Sequence, residues 1–128
     1  LSHPKRVASL SLIASAGLGP DINNGYTEGF ANAASRRDLK PVLEQLFKDP
    51  GLVSRQMVDD VLKYKRLDGV SEVLATLGRG LFAAGRQASQ PGLQLELTGK
   101  PVLVVWGRDD QVVPAAHAEY FDHPESAD

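Results

Sequence analysis

Two adjacent aspartates, Asp109 and Asp110, are the residues whose type and setting best suit chemistry. They follow Pro101-Val102-Leu103-Val104-Val105-Trp106, a continuous apolar run of the kind shown by a parallel strand covered on both faces. Pro101 takes its first position, where a missing N–H is tolerated. In open parallel sheets, ligands bind beyond the carboxyl ends of the strands, so an acid just past such an end stands where a site is built. The competing reading is a plain Asp-rich turn, because aspartates hydrogen-bond their own backbone. The strand before the pair and Pro114 after it favour the site.

An acid of this kind needs partners, and the sequence supplies few. With no cysteine there is no thiolate nucleophile, no Cys-ligated zinc and no disulfide framework. The Gly-x-Ser-x-Gly turn that presents a serine nucleophile is absent. Gly25-Tyr26-Thr27-Glu28-Gly29 imitates its spacing, but Asp21-Ile22-Asn23-Asn24 ahead of it does not read as a strand. Gly17-Leu18-Gly19-Pro20-Asp21-Ile22 invites a dinucleotide-loop reading. It fails because Ile22 replaces the third glycine and Pro20 interrupts the expected helix start, so a strand-ending turn explains these glycines better. No cluster has metal-ligand spacing. Arg36, Arg37, Lys63, Lys65, Arg66 and Asp68 read as solvated helix faces.

The elements that must position the acid follow from periodicity. Arg6 to Ala14 is short, apolar and partly alternating, and Gly17, Gly19 and Pro20 stop it, which predicts a buried strand. Between it and the run at 101–106 the pattern is helical. Ser54 is set to cap a helix in which Met57, Val58, Val61 and Leu62 recur at helical spacing. Val70, Val73, Leu74, Leu77, Leu81 and Phe82 make a second stripe. Gly78 and Gly80 weaken it by roughly 1 kcal/mol each, and suggest close packing or a bend. Leu43, Leu46 and Phe47 predict a shorter helix, with Asp38 as N-cap so that Pro41 falls in the first turn. A further helix is expected over Tyr26 to Ala34. Gln87 to Gly92 reads as a polar linker back to the second strand. Pro114 opens a final helix from Ala115 through Phe121.

The chain of 128 residues suits one ordinary domain, but it opens Leu1-Ser2-His3-Pro4 without methionine and closes on a polar run from His123 to Asp128. Both ends predict an interior piece of a longer chain. Hydrophobic residues at 42%, charged residues at 23% and a net charge of -2 are ordinary for a soluble domain and argue against nucleic-acid or anionic-membrane partners. The apolar runs are too short to span a bilayer, and a cysteine-free chain is compatible with a cytoplasmic setting.

The run Trp106-Gly107-Arg108-Asp109-Asp110-Gln111-Val112-Val113-Pro114 resembles the acid-bearing turn of the α/β-hydrolase superfamily: glycine, aspartate three residues on, a small apolar pair, then proline. That resemblance makes Asp110 the triad acid, which would fix the tautomer of a catalytic histidine and stabilise its imidazolium. Asp109 is the second choice and a turn organiser. The family's histidine follows a further helix and strand, so His3, His117 and His123 are not assigned to catalysis; His117 is read as a surface or packing residue. Arg6 to Ala14, Ala16 to Gly19, Ser35 to Leu43 and Leu52 to Val70 further resemble one subgroup, the α/β-hydrolase-fold dihydrolipoyllysine acetyltransferase components of acetoin dehydrogenase complexes. Ser15 stands where proline is expected in that subgroup.

The resemblance implies an α/β fragment: two core parallel strands plus a helical cap. Its divisions are a core strand and turn over 1–20, a helical lid and linker over 21–95, and a core strand, acid loop and helix over 96–128. The helices from about Asp21 to Ala84 would cover an acyl pocket. No cofactor is expected on this segment, while the longer protein would use a covalently attached lipoyl group and coenzyme A. Partners would be other subunits of a 2-oxo-acid-dehydrogenase-like complex and a small acyl substrate. An ester or carbon–carbon bond hydrolase and a non-catalytic helical interaction module are the alternatives. The chain alone is expected to be inactive and prone to self-association.

Overall fold

The computed structural model describes residues 3–94 and 99–121. His123 and the rest of the terminal run lie outside the described residues. Elements run in the order β1 (Leu10–Ile13), α1 (Asn24–Asn32), α2 (Arg36–Glu44), α3 (Arg55–Lys65), α4 (Val70–Leu81), β2 (Phe82–Ala83), β3 (Arg86–Gln87) and β4 (Val102–Val105), with short 3₁₀ turns between them. This is an α/β arrangement. β1 and β4, far apart in the chain, pair in parallel with Leu10 opposite Val102 and Ile13 opposite Val105. β2 and β3 form a small antiparallel hairpin.

The first strand is shorter than its apolar pattern suggests. Pro4–Arg6 is a 3₁₀ turn, and pairing begins only at Leu10, whose N–H donates to Pro101 O at 3.0 Å. It ends where Ala14 takes φ +43°, a left-handed conformation that turns the chain away after its N–H has reached Val105 O. Nor is the sheet covered on both faces. Leu10, Leu12, Val102 and Val104 are half-buried, whereas Ile13, Leu103 and Val105 face outward at 73%, 59% and 46% exposure.

The core lies among the helices. Ala33, Leu39, Leu43, Val53, Val58 and Leu62 form one buried cluster, against which Phe30, Phe47, Met57 and Val61 pack. α3 supplies its stripe as expected, and Ser54 Oγ accepts from Met57 N–H at 3.1 Å to cap it. α2 starts earlier than expected: Ser35, not Asp38, is the N-cap, with its Oγ accepting from Asp38 N–H. Pro41 therefore sits inside the helix rather than in its first turn. Leu39, Val42 and Leu43 still make a buried face, and Leu46 and Phe47 fall beyond the helix end. α1 is capped by Asn23 and lies two residues earlier than expected.

Other expectations need correcting. The α4 stripe is not a core face, since Val73, Leu77 and Leu81 are exposed and no residue of that helix is fully buried. A Cβ at Gly78 or Gly80 would meet nothing within 4 Å, so close packing does not explain either glycine. Gln87 is no solvated linker residue: it is buried, its Oε1 accepting from Gly17 N–H at 2.6 Å and its Nε2 donating to Asp21 O at 3.0 Å. Ala115–Phe121 is 3₁₀ rather than α-helical.

Lys65 departs furthest from its expected role. Assigned to a solvated face, it is 6% exposed. Its Nζ donates to Phe30 O and Ala31 O, carbonyls of the last turn of α1, and stands 4.8 Å from the centroid of the Phe30 ring. A cation at a helix C-terminus meets the negative end of the dipole and satisfies carbonyls left without intrahelical partners. Burial holds its ammonium below the ordinary lysine range. Its position on α3, three residues after Leu62 and seven after Val58, places it on the core stripe.

Candidate functional site

The acid loop leaves the carboxyl end of β4 and is fastened at both ends. Asp110 N–H donates to Gly107 O at 3.2 Å, and Trp106 Nε1 donates to Val113 O at 3.0 Å, closing the loop across its base. Within it, Asp110 Oδ1 accepts from the N–H of Val112 at 2.8 Å and of Val113 at 3.0 Å. Among the described residues both hydrogen bonds to this carboxylate go to Oδ1. The turn-forming behaviour of an aspartate is thus real here, and it belongs to Asp110 rather than to Asp109.

Asp109 faces the helical half. Its Oδ2 accepts from Lys48 Nζ at 2.7 Å, from the stretch that follows α2. This hydrogen bond, with the charge beside it, raises the Lys48 pKa above its ordinary value. Both side chains are exposed, so the pair contributes little to stability. Its consequence is geometric: it spans the gap between the helices and the acid loop.

Asn23 makes a second link between the same parts. Its Oδ1 caps α1 by accepting from Tyr26 N–H at 3.0 Å, while its Nδ2 donates to Gln45 Oε1 and to Gln111 O, both at 2.9 Å. Its own N–H donates to Val112 O at 2.9 Å. No cap is predicted for this helix from the sequence, although asparagine is a preferred capping residue and Asn23 carries that signal. The bonds to Gln45 and the acid loop join residues distant in the chain and leave no local pattern.

These contacts border a cavity of about 530 Å³, open to solvent, beyond the carboxyl ends of the paired strands. Ala14 comes from the end of β1, Phe47 and Lys48 from the stretch after α2, and Asp109, Asp110 and Val113 from the acid loop. The structure therefore brings Asp109 and Asp110 together at one concave surface with residues of the helical half. Its lining mixes apolar side chains such as Leu46, Phe47 and Val113 with charged ones, Lys48, Arg108, Asp109 and Asp110.

The remaining candidates fall elsewhere. His117 is 2% exposed, its ring edge-on to Trp106 with centroids 6.4 Å apart and Nε2 3.9 Å from Asp21 Oδ2. It is a packing residue, and Gly19 lies so close that a Cβ there would strike the imidazole. His3 is exposed in the leading turn. Gly25 to Gly29 lies inside α1, which excludes a nucleophile turn there. The loop over Gly17 to Ile22 is a packed turn, with Gly17 at φ +88° against Pro91 and clamped by Gln87. Among the described residues no group of three or more His, Asp or Glu could hold a metal ion, and no helix is long and apolar enough to cross a membrane.

Comparison with known proteins gives the chain relatives of two kinds. It is 63% identical over 116 residues, 91% of its length, to the dihydrolipoyllysine-residue acetyltransferase component of the acetoin cleaving system of Cupriavidus necator. It is 54% identical over 115 residues, 90% of its length, to the protein of the same name from Pseudomonas putida. Similarity at 30% identity, over 89% of the chain, extends to the 2-hydroxy-6-oxononadienedioate/2-hydroxy-6-oxononatrienedioate hydrolase of Burkholderia vietnamiensis. The chain spans only 31%, 30% and 41% of these relatives' lengths. No family model matches it, and no solved structure does.

Proposed function

We propose that this chain is the lid-and-acid segment of an α/β-hydrolase-fold acyltransferase, which passes an acetyl group from a lipoyl thioester to coenzyme A in an acetoin dehydrogenase complex. The observation that carries the choice of reaction is the 63% identity, over nearly the whole chain, to an acetyltransferase component of an acetoin cleaving system. On this reading Asp110 is the triad acid. Two backbone amides hold Oδ1 and orient the carboxylate, so that Oδ2 can accept from a histidine supplied by the longer protein. The cavity beside it, with Phe47 and Val113 among its walls, suits a small acyl group. The lipoyl thioester and coenzyme A would supply the acyl donor and the accepting thiol. The lid is the helical region from about 21 to 84, and the partners are the other subunits of the complex in the cytoplasm.

The test uses the longer protein, assayed for acetyl transfer from acetyl-dihydrolipoamide to coenzyme A. Asp110→Asn should lower kcat on the order of 10³- to 10⁴-fold, the scale seen when a triad acid is neutralised. Undiminished turnover would remove Asp110 from the mechanism. A second reading, hydrolysis of a carbon–carbon or ester bond, is favoured by the likeness to the Burkholderia vietnamiensis hydrolase. Acyl hydrolysis that is equally fast without coenzyme A would select it.

A further inference from the structure

We propose that Asn23 is a positioning residue for Asp110, holding the acid's hydrogen-bond donors in place from the base of the lid. The inference rests on the assignment of Asp110 as the acid. It follows from which ends of which peptide groups are held. Gln111 C=O and Val112 N–H belong to one planar peptide, and Val112 C=O and Val113 N–H belong to the next. The two N–H ends donate to Asp110 Oδ1 at 2.8 and 3.0 Å. The two C=O ends accept from Asn23, the first from its Nδ2 and the second from its backbone N–H, both at 2.9 Å.

Asn23 therefore grips the far side of both peptides whose near side grips the carboxylate. Each plane is rigid, so a rotation that moved the N–H away from Oδ1 would also break the bond on the carbonyl side. Each carbonyl that accepts a hydrogen bond also polarises its own peptide, which strengthens the N–H as a donor. Trp106 Nε1 holds the next carbonyl, Val113 O, so three successive carbonyls of the loop are fixed. The remaining bonds of Asn23, to Tyr26 N–H and Gln45 Oε1, anchor it to the start of α1 and the end of α2. A change in lid position would thus reach the two peptides that hold the acid through this residue, beside the separate Lys48–Asp109 link to the same loop.

Asn23→Ser removes the side-chain half of this grip, because serine caps a helix about as well as asparagine, but its shorter side chain carries a single O–H in place of the two N–H donors that Nδ2 gives to Gln45 Oε1 and Gln111 O. In the longer protein it should lower kcat about 10- to 100-fold with KM little changed, as small misplacements of catalytic groups do. The discriminating measurement is a double-mutant cycle with Asp110→Asn. If Asn23 acts through Asp110, Asn23→Ser should cost little further activity once Asp110 is Asn. Equal cost in both backgrounds, or no cost in either, overturns the inference while leaving Asp110 in place. If Asp110→Asn itself is harmless, the underlying assignment fails first, and the inference with it. Asn23→Asp, which keeps the cap and turns an oxygen toward Gln111 O, repeats the cycle should Asn23→Ser not fold.

Discussion

An ammonium taken out of water destabilises a fold unless hydrogen bonds replace its hydration, and Lys65 shows how local that compensation is. Its two carbonyl acceptors belong to Phe30 and Ala31, so one side chain of α3 closes the end of α1. Lys65→Met keeps the length of the stem and removes the donor. Leaving these part-buried carbonyls unpaired should cost about 1 kcal/mol, read as a lower urea midpoint. An unchanged midpoint would mean that water replaces the ammonium. The exposed pair between α2 and α3 behaves differently. Arg36 donates to Asp59, and this hydrogen bond, helped by the charge, keeps the Asp59 carboxyl below its ordinary range. A carboxyl with a depressed folded pKa adds stability at pH values above its unfolded pKa, and loses it as pH falls through the folded one. Asp59→Asn should therefore lower the urea midpoint at neutral pH and match the unsubstituted chain in strong acid. A difference that persists in acid would assign the effect to packing instead.

At the scale of elements, Gly80 offers a separable test. It is exposed, lies inside α4, and a Cβ there would meet nothing within 4 Å. Gly80→Ala should stabilise the helix by about 0.5–1 kcal/mol, seen as a raised melting temperature. A loss of stability would show that α4 needs the freedom of glycine. Legibility followed the range of the forces involved. α3 could be read because its cap and stripe, Ser54 to Leu62, are contained within the helix and its first flanking residue. α2 was misread at its start because Ser35 competes with Asp38 for the cap, and a proline within a helix is locally disfavoured but overridden by burial of Leu39 and Leu43. The place of the two aspartates past the end of β4 is legible in the apolar run before them, but which of them forms the turn is not: Asp110, rather than Asp109, bonds two and three residues onward. The links from Asn23 to Gln111, from Lys48 to Asp109 and from Gln87 to Gly17 cross most of the fold and leave no periodic trace. Lys65 left a trace, its place on the apolar stripe of α3, which its charge masked.

Across the whole molecule, apolar burial is uneven. The helical half holds the core, with Leu39 and Val58 fully enclosed, while the β1–β4 sheet is half-buried on one face and bare on the other. Parallel strands normally have both faces covered, and a two-stranded sheet is marginal without further packing. On the proposed reading, the neighbouring strands and helices of the longer protein take those places. Ile13, Leu103 and Val105 make one bare surface, and the exposed Val73, Leu77 and Leu81 of α4 make a second. Water is excluded from such patches only by another surface, and the 128-residue chain in isolation has only its own copies to supply one. It should therefore sediment as species heavier than its 13.8 kDa monomer, with a distribution that shifts with concentration. Ile13→Lys combined with Leu103→Lys places two charges on the bare sheet face without touching the helical core. If the sheet drives association, this variant should return to the monomer mass while its helical circular dichroism stays unchanged. If it stays associated, the α4 stripe is the contact, and Leu77→Lys should disperse it; a chain that is monomeric without either change would mean that these bare faces are too small to hold two copies together.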